Sequence, residues 1–457
     1  MVSERWAILG GSFNPPGVHH RHMATQLASA FDRVLVVPCG PRPDKQSTND
    51  VEPVHRAAMA DLTFGGLPRI TVDLFDLEAS TFTRTLEMEQ RFQSQGEIWH
   101  VITPDLLQTD DQGQNVMQRE WQHGQILWQQ GRFAVVAANQ DELQGVTLPP
   151  QHRVVFAPHS IGGETLREKA FAHKPLDEWV VPRVAEYIER HGLYRGQKAS
   201  REFRWTLPPQ PRLLLVADEW NDRAVEAAAA LGPSCEDDPD LIVVVGGDGT
   251  MLRAIRQHWR LRRPFFGLNR GHVGFLLNEH PPTECKNGRI TLHQAPLLWV
   301  ETEDLQGEKH TALAFNDAWV ERATGQTAWI EVRVDGQVRL ERLISDGALV
   351  STAAGSTSYA RAMGGTPLPL ATPGMLLVGS NVLHPDRWRP VVLPLECELK
   401  LTTLDPIKRP LRGYVDGVSH NEIRSMLIRC SRIAAVELAF DPQLDLTEKL
   451  AQIQFPK

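Results

Sequence analysis

The sequence predicts two successive α/β domains, the second of which continues into a β-rich half. The 457 residues exceed what one ordinary hydrophobic core organises. Strand and helix signals alternate through residues 1–195, whereas short alternating apolar runs replace them from about residue 287 onward. A proline-rich segment without periodic hydrophobicity, residues 196–211, separates the two regions and is predicted to be a linker.

The first domain, residues 1–195, shows a regular succession of strands and helices. The predicted elements are strand 6–9, helix 20–31, strand 34–37, helix 54–64, strands 98–102, 133–137 and 154–156, and helix 182–191. This alternation is typical of a parallel sheet with helices on both faces.

The second domain, residues 212–457, changes character along its length. Its α/β part, residues 212–286, contains a predicted strand at 213–217, a helix at 222–231 and a strand at 241–245. Its mainly β part, residues 287–457, contains predicted strands at 290–292, 329–334, 391–393, 399–401 and 433–440.

The composition narrows the class of protein. Hydrophobic residues make up 42% and charged residues 23%, as in a soluble globular protein. The net charge is −8 without a Lys/Arg block, which argues against a nucleic-acid or anionic-membrane partner. The five scattered cysteines show no metal-ligand spacing, so we expect no protein-held metal and a reduced, cytoplasmic location. Neither a secretory signal nor a membrane span is expected.

The strongest local signal is Gly246-Gly247-Asp248-Gly249-Thr250, which follows the apolar run 241–245 and precedes a predicted helix at 251–259. Glycines at a strand-to-helix turn allow phosphate oxygens to approach backbone N–H groups, and the helix N-terminus favours negative charge. A carboxylate inside such a turn indicates phosphoryl transfer. Glycine-rich turns occur in many nucleotide-binding folds, and lipid kinases and phosphofructokinases share this one in outline, so the motif alone leaves the class open.

Three further segments follow in order: residues 266–276, Asn316-Asp317, and residues 345–359 continuing to 364–367. The ordered set resembles the NAD kinases over residues 211–457, and it argues against a lipid kinase. The resemblance implies transfer of the γ-phosphoryl group of ATP or polyphosphate to the 2′-hydroxyl of the adenosine ribose of NAD. It also implies Mg²⁺ bound with ATP, and a homo-oligomer, either a dimer or a tetramer.

The same resemblance assigns roles to individual residues. Asp248 would be the general base. The phosphates would be held by Gly246, Gly247, Gly249 and Thr250, and the nucleotide would be contacted by Phe275, Asn316, Asp317, Asp346, Thr357, Tyr359 and Asp416. Phe275 is equally compatible with a core position. The chain departs from the family at Ala362, where a small polar residue is usual, and in the lead-in 352–355.

The first domain carries a second motif, running from Gly10 to His20. It resembles the opening of the nicotinate and nicotinamide mononucleotide adenylyltransferases, and the resemblance extends over residues 1–195. It implies that His20 stabilises the α-phosphoryl group of ATP during attack by a mononucleotide phosphate. The other nucleotide-binding positions that it implies are Gly10, Gly11, Ser12, Phe13, Lys45, Asp105 and Arg167.

Departures from that second family leave two alternatives. Gly17 stands where the family has the first histidine of its His-x-Gly-His element, and His19 stands where it has the glycine. Glu164 replaces a hydroxyl residue of the phosphate loop, in a segment where Arg167 is retained. The first domain is therefore either a second enzyme, using nicotinamide or nicotinate mononucleotide (NMN or NaMN), or a non-catalytic nucleotide-sensing or assembly module.

Overall fold

The computed structural model describes residues 3–43, 45–158, 161–196, 201–271 and 274–455. The chain divides into two compact units, Met1–Ala199 and Ser200–Lys457. Among the described residues, no helix combines the length and the apolar character needed to cross a membrane.

The first unit is built on a parallel sheet with the strand order β3-β2-β1-β4-β5-β6. Its strands are β1 (Arg5–Gly11), β2 (Arg33–Pro38), β3 (Ile70–Val72), β4 (Glu97–Ile102), β5 (Arg132–Ala137) and β6 (Gln151–Phe156). The strand order reverses at β1, which pairs with both β2 and β4. In such sheets ligands bind at the carboxyl ends of the strands next to this reversal.

Helices connect or follow these strands, and their apolar faces pack in the cores of the unit. They are α1 (Val18–Ala30), α2 (Pro53–Phe64), α3 (Phe75–Ala79), α4 (Thr85–Phe92), α5 (Val116–Glu120), α6 (Gly124–Gln130), α7 (Gly163–Phe171) and α8 (Pro182–His191). Helix α2 is almost wholly buried, and Met59 on it packs in one core with Leu166 of α7 and Tyr187 of α8.

The second unit is built on one large mixed sheet. Its strands are β7 (Glu202–Thr206), β8 (Leu213–Ala217), β9 (Leu241–Gly246), β10 (Phe265–Asn269), β11 (Arg289–Asp304), β12 (Lys309–Ala314), β13 (Asp317–Arg322), β14 (Ala328–Val334), β15 (Gln337–Ser345), β16 (Gly347–Ser351), β17 (Gly374–Ser380), β18 (Val391–Pro394), β19 (Glu398–Thr403), β20 (Leu411–Val415) and β21 (Val418–Phe440). Its helices are α9 (Asp222–Ala230), α10 (Asp248–His258), α11 (Tyr359–Ala362) and α12 (Leu446–Gln454).

The long strand β21 belongs to both parts of this sheet. Near its end it runs parallel to β10, which continues the parallel order β8-β9-β10. Along the rest of its length it pairs antiparallel with β11, β19 and β20. The α/β part and the β-rich part therefore share one sheet.

The predicted fold class is confirmed, since a parallel α/β sheet is followed by a sheet whose later strands are mostly antiparallel. The bounds of several elements differ from the predicted ones. The predicted linker 196–211 contains β7, which pairs with β11. The strands predicted at 290–292 and 433–440 are short pieces of β11 and β21. The helix predicted at 251–259 begins three residues earlier, at Asp248.

Candidate functional site

The glycine turn after β9 forms the centre of the site in the second unit. Strand β9 is buried along its whole length, and α10 begins at Asp248 with Gly247 as its N-cap. A Cβ atom on Gly246 would lie 2.7 Å from Oγ1 of Thr250, so only glycine allows this packing. Among the described residues, no atom lies within 4 Å of a Cβ built on Gly247 or Gly249. The turn therefore leaves open space beside the helix N-terminus, where an anion is favoured.

Asp248 is partly buried inside this turn. Its carboxylate oxygens accept hydrogen bonds from the backbone N–H groups of Phe275 and Leu276, each at 3.3 Å. Burial raises the pKa of the Asp248 carboxyl above its ordinary value, while these two hydrogen bonds and the charge of Lys449 oppose the increase. A carboxylate with a raised pKa is a better proton acceptor when it is ionised, which suits a general base.

The Asn316-Asp317 turn is held by Asp416. The Asp416 carboxylate accepts hydrogen bonds from the backbone N–H groups of Phe315, Asn316 and Asp317, at 2.7, 2.9 and 3.1 Å. The contact with NAD expected for Asp416 stays a prediction. In the structure its carboxylate orders the turn that carries Asn316, a role that the sequence did not indicate.

Asp317 is a second carboxyl group with a shifted pKa. Burial and the neighbouring Asp416 carboxylate raise the pKa of Asp317 to about 7. Near neutral pH this side chain therefore exists in both protonation states, and it can donate or accept a hydrogen bond.

Arg256 connects this turn to the helix that begins at Asp248. Its guanidinium donates a hydrogen bond of 2.9 Å to the backbone carbonyl of Asp416. Arg256, Phe315 and Asp416 also border a cavity of about 410 Å³. The last turn of α10 thus lies against the turn that carries Asn316, and Phe315 of that turn packs in one core cluster with Met251 of α10. Sequence reasoning gave Arg256 no role.

The segment 352–357 packs directly on the Asn316 turn. Oγ1 of Thr352 donates a hydrogen bond to the carbonyl of Phe315 at 2.7 Å. Oγ1 of Thr357 donates to the carbonyl of Ala354 at 3.2 Å, so its predicted ligand contact would be made from a locally ordered turn. A Cβ atom on Gly355 would lie only 2.1 Å from the backbone oxygen of Asn316.

We expect Gly355→Ala to destabilise the second unit by about 3 kcal/mol, because neither backbone can move apart without losing hydrogen bonds. The measurement is the thermal unfolding of the full chain, with NAD binding followed by calorimetry. Gly325→Ala is the control, since no described atom lies within 4 Å of its Cβ position. Equal stability of the two variants would contradict the tight packing of this segment.

The predicted contact residue Asp346 lies away from the Asn316 turn. Asp346 forms an ion pair with Arg322 at 2.7 Å and accepts a hydrogen bond from Asn381 at 2.7 Å. Because Gly347 pairs with Glu321 and Ser351 with Asp317, Asp346 is about 16 Å along the sheet from the Asn316 turn. The structure does not bring Asp346 to the turn.

The two aromatic positions have different surroundings. Tyr359 is 40% exposed and packs edge-on against Trp319, at 5.2 Å between ring centroids. Phe275 is 3% exposed and packs in the core with Met251 and Leu277, as the alternative interpretation of this residue expected. Phe275 also borders a cavity of about 580 Å³. Of the predicted block 266–276, His272 and Val273 lie outside the described residues.

The motif of the first unit forms the turn between β1 and α1. The backbone N–H of Gly17 donates a hydrogen bond of 3.0 Å to Nδ1 of His20. Burial lowers the pKa of His20 to about 3, and the charges of His19 and Lys45 act in the same direction. The neutral ring therefore carries its proton on Nε2, where it can donate a hydrogen bond to a phosphoryl oxygen.

His19 occupies the space next to Gly17. A Cβ atom on Gly17 would lie 2.6 Å from the imidazole of His19, and the His19 and His20 rings are 3.9 Å apart. The histidine at position 19 thus fills the volume that a side chain at position 17 would need. The exchange of histidine and glycine along the sequence leaves two imidazoles together at the start of α1.

The predicted phosphate loop, residues 162–167, lies beside this turn. Nη1 of Arg167 donates a hydrogen bond of 2.8 Å to the carbonyl of Asn14, and Nε lies 3.6 Å from the carboxylate of Asp50. Glu164 is exposed in the first turn of α7. Asp105 is exposed in a 3-10 turn that directly follows β4, beside the strand-order reversal.

Other residues of the motif support the turn from inside. Phe13 is 2% exposed and packs edge-on against His20 and Phe64, at 5.1 and 5.4 Å between ring centroids. The buried guanidinium of Arg56 donates hydrogen bonds to the carbonyls of Ser12 and Cys39, each at 2.6 Å. Gly10 has no described atom within 4 Å of its Cβ position, whereas a Cβ on Gly11 would lie 3.0 Å from the ring of Phe13. Gly10 is therefore open to a ligand, and Phe13 has a core role.

Two protein-family models match this chain. The model of the ATP-NAD kinase N-terminal domain matches residues 171–287, and that of the cytidylyltransferase-like family matches residues 8–155. The chain thus combines a nucleotidyltransferase-like unit with a kinase unit. An NAD kinase of Rickettsia bellii is 34% identical over 239 residues, which cover 51% of this chain and 92% of the relative. An NAD kinase of Rhizorhabdus wittichii is 35% identical over 257 residues, covering 54% and 98%. The chain belongs to the NAD kinase family.

Two solved structures show similarity at lower levels. Yeast NADH kinase complexed with NADH gives a TM-score of 0.43 at 20% identity, covering 48% of this chain and 67% of that one. An NAD kinase of Archaeoglobus fulgidus in complex with ATP gives a TM-score of 0.40 at 23% identity, covering 52% and 97%.

Proposed function

We propose that the second unit phosphorylates the adenosine-ribose 2′-hydroxyl of NAD with ATP to give NADP. The observation that carries this proposal is the carboxylate of Asp248, set in a glycine turn at a helix N-terminus and held by two backbone N–H groups. The membership in the NAD kinase family supports the same reaction.

In this reaction the 2′-oxygen forms a bond to the γ-phosphorus, and the bond from that phosphorus to the β–γ bridging oxygen breaks to release ADP. Asp248 accepts the proton of the 2′-hydroxyl. The open N-terminus of α10 beside Gly247 and Gly249 holds phosphate oxygens. Asn316, on the turn ordered by Asp416, orients the nucleotide.

Mg²⁺ is proposed to arrive with the triphosphate, because it favours phosphate oxygens and water as ligands. The one group of potential metal ligands found among the described residues is Asp304, Glu308 and His310, on the hairpin between β11 and β12. It does not include Asp248. In this proposal the residues of the glycine turn contribute positioning and proton transfer.

For the first unit we propose adenylyl transfer to NMN or NaMN, so that one chain would make a dinucleotide and phosphorylate NAD. This is supported by the neutral His20, by His19 in the space beside Gly17, and by Arg167 next to the turn. The alternative is a non-catalytic nucleotide-sensing or assembly module. Glu164 at the start of α7 favours it, since a carboxylate there repels a triphosphate.

The experiment that separates these functions is chromatography of the products formed from ATP and Mg²⁺ with NAD, NMN or NaMN in separate tubes. NADP from NAD supports the kinase, and a dinucleotide from either mononucleotide supports the second activity. NADP alone identifies the first unit as the non-catalytic module. Absence of NADP contradicts the central proposal.

We expect His20→Ala to lower dinucleotide synthesis by about 10²–10³-fold while leaving NADP formation unchanged, because it removes one hydrogen-bond donor to a charged transition state. The two activities are measured separately as initial rates. His22→Ala, an exposed position on the same helix, is the control and should affect neither rate. An unchanged dinucleotide rate in the His20 variant would remove this residue from the mechanism.

A further inference from the structure

A lysine near the end of the chain, Lys449 on α12, holds the segment that contacts Asp248. Its Nζ atom donates hydrogen bonds to the backbone carbonyls of Gly274 and Leu277, at 2.9 and 2.5 Å. It also lies 3.3 Å from the carboxylate of Glu279. The Lys449 side chain is 16% exposed, so these contacts are largely shielded from water.

The two sets of hydrogen bonds share a peptide group. The carbonyl of Gly274 and the N–H of Phe275 belong to one planar unit and point in opposite directions. Lys449 binds the oxygen of that unit, and Asp248 binds its hydrogen. A cation at the oxygen polarises the peptide and strengthens its N–H as a donor, so the lysine acts on the carboxylate through the backbone.

Helix α12 is itself fixed against the same segment. Leu450 packs in one core cluster with Phe275 and Leu277. The Asp445 side chain caps the helix by accepting hydrogen bonds from the N–H groups of Thr447 and Glu448, at 2.8 and 3.1 Å. The lysine is therefore presented to the two carbonyls by a helix with its own anchors.

We propose that Lys449 is a positioning residue for the phosphoryl transfer, holding the Gly274–Leu277 backbone so that its N–H groups orient the Asp248 carboxylate toward the ribose hydroxyl. The inference rests on the proposed kinase function of the second unit. It adds a residue distant in sequence that acts through the backbone carbonyls of Gly274 and Leu277.

The proposal predicts the direction in which the pH profile of kcat shifts when Lys449 is replaced. Among the described residues, the charged side chain that lowers the pKa of Asp248 is Lys449. Removal of that charge, together with looser N–H donors, raises the pKa of the base. The acidic limb of the pH profile of kcat should then move to higher pH, because the base must be ionised to accept a proton.

The test compares Lys449→Met, which keeps most of the aliphatic stem, with Lys449→Arg and with the control Glu279→Gln in the full chain. We expect the Met variant to lose about 30-fold in kcat with KM for NAD changed less than threefold, and its acidic limb to shift upward. The Arg variant should recover part of kcat, and its acidic limb should lie between those of the Met variant and the wild type. The Gln variant keeps both carbonyl contacts and should resemble the wild type. If the Met variant does not fold, Lys449→Gln repeats the pH test without the charge.

A second measurement does not depend on activity. Hydrogen exchange of the peptide covering residues 274–279 should be faster in the Met variant than in the wild type and in the Glu279 variant. A wild type without NADP formation would overturn the proposed kinase, and the exchange rates would still test the contact. An unchanged kcat, pH profile and exchange rate in the Met variant would overturn the role of Lys449.

Discussion

Asp248→Asn is expected to lower kcat for NADP formation by about 10²–10⁴-fold while changing the Kd for NAD less than threefold. Asparagine keeps the size of the side chain, but it cannot take a proton, and its single oxygen replaces only one of the two carboxylate oxygens that accept from Phe275 and Leu276. Rates are measured by following NADP, and affinity by calorimetry. Asp222→Asn, an exposed acid in the first turn of α9, is the matched control and should retain full activity.

The pH dependence of the wild type tests the same assignment. The pKa of Asp248 is raised by burial, so kcat should fall on acidification at a pH above the ordinary carboxylate range, as the base becomes protonated. The residual activity of the Asn variant should lack this limb. A variant with wild-type turnover, or with the same acidic limb, would remove Asp248 from the role of base.

Asp416→Ala is expected to destabilise the second unit by about 4 kcal/mol, the second large effect. Its carboxylate serves three backbone N–H groups, and buried donors without partners cost about 1–3 kcal/mol each, partly relieved by relaxation. The measurement is differential scanning calorimetry of the full chain. The transition of the second unit is identified as the one whose midpoint temperature increases when NADP is added.

Asp335→Ala provides a matched control for this effect. Both aspartates have a left-handed backbone, with φ of 46° at Asp416 and 50° at Asp335, so the strain of alanine at positive φ is the same in both variants. Asp335 accepts one exposed backbone hydrogen bond, from Glu398. A loss of about 1 kcal/mol is expected there. Similar losses in both variants would show that the carboxylate does not order the Asn316 turn.

Sequence reasoning was most successful where burial and local conformation agree. The run 241–245 is apolar at every position because β9 is buried on both faces, and the glycines after it required a turn. It failed for β21, whose first half alternates exposed and buried residues among charged side chains, and for β11, where Pro296 lies next to an irregularity in the pairing. These strands lack a clear local hydrophobic pattern, and they are stabilised by pairing with strands that are distant in sequence.

The candidate site was predictable only in part for the same reason. The motif residues at Asp248, Asn316 and His20 follow from short spacings that the chain displays directly. The contacts of Arg256, Lys449 and Arg56 depend on segments brought together by the fold. A single lysine in an amphipathic helix gives no signal, since such residues are usually solvated.

The shared strand β21 has a consequence for how the kinase unit is made. The pair β9-β10 has β8 on one side, and on the other side its neighbour is the end of β21, through Leu438 and Ala439. During synthesis β10, which ends at Asn269, must wait for about 170 further residues before this neighbour leaves the ribosome. We therefore expect the unit to fold late and as one cooperative block. Each of two fragments divided near residue 287 would then aggregate when produced alone, and the two would regain structure only when mixed.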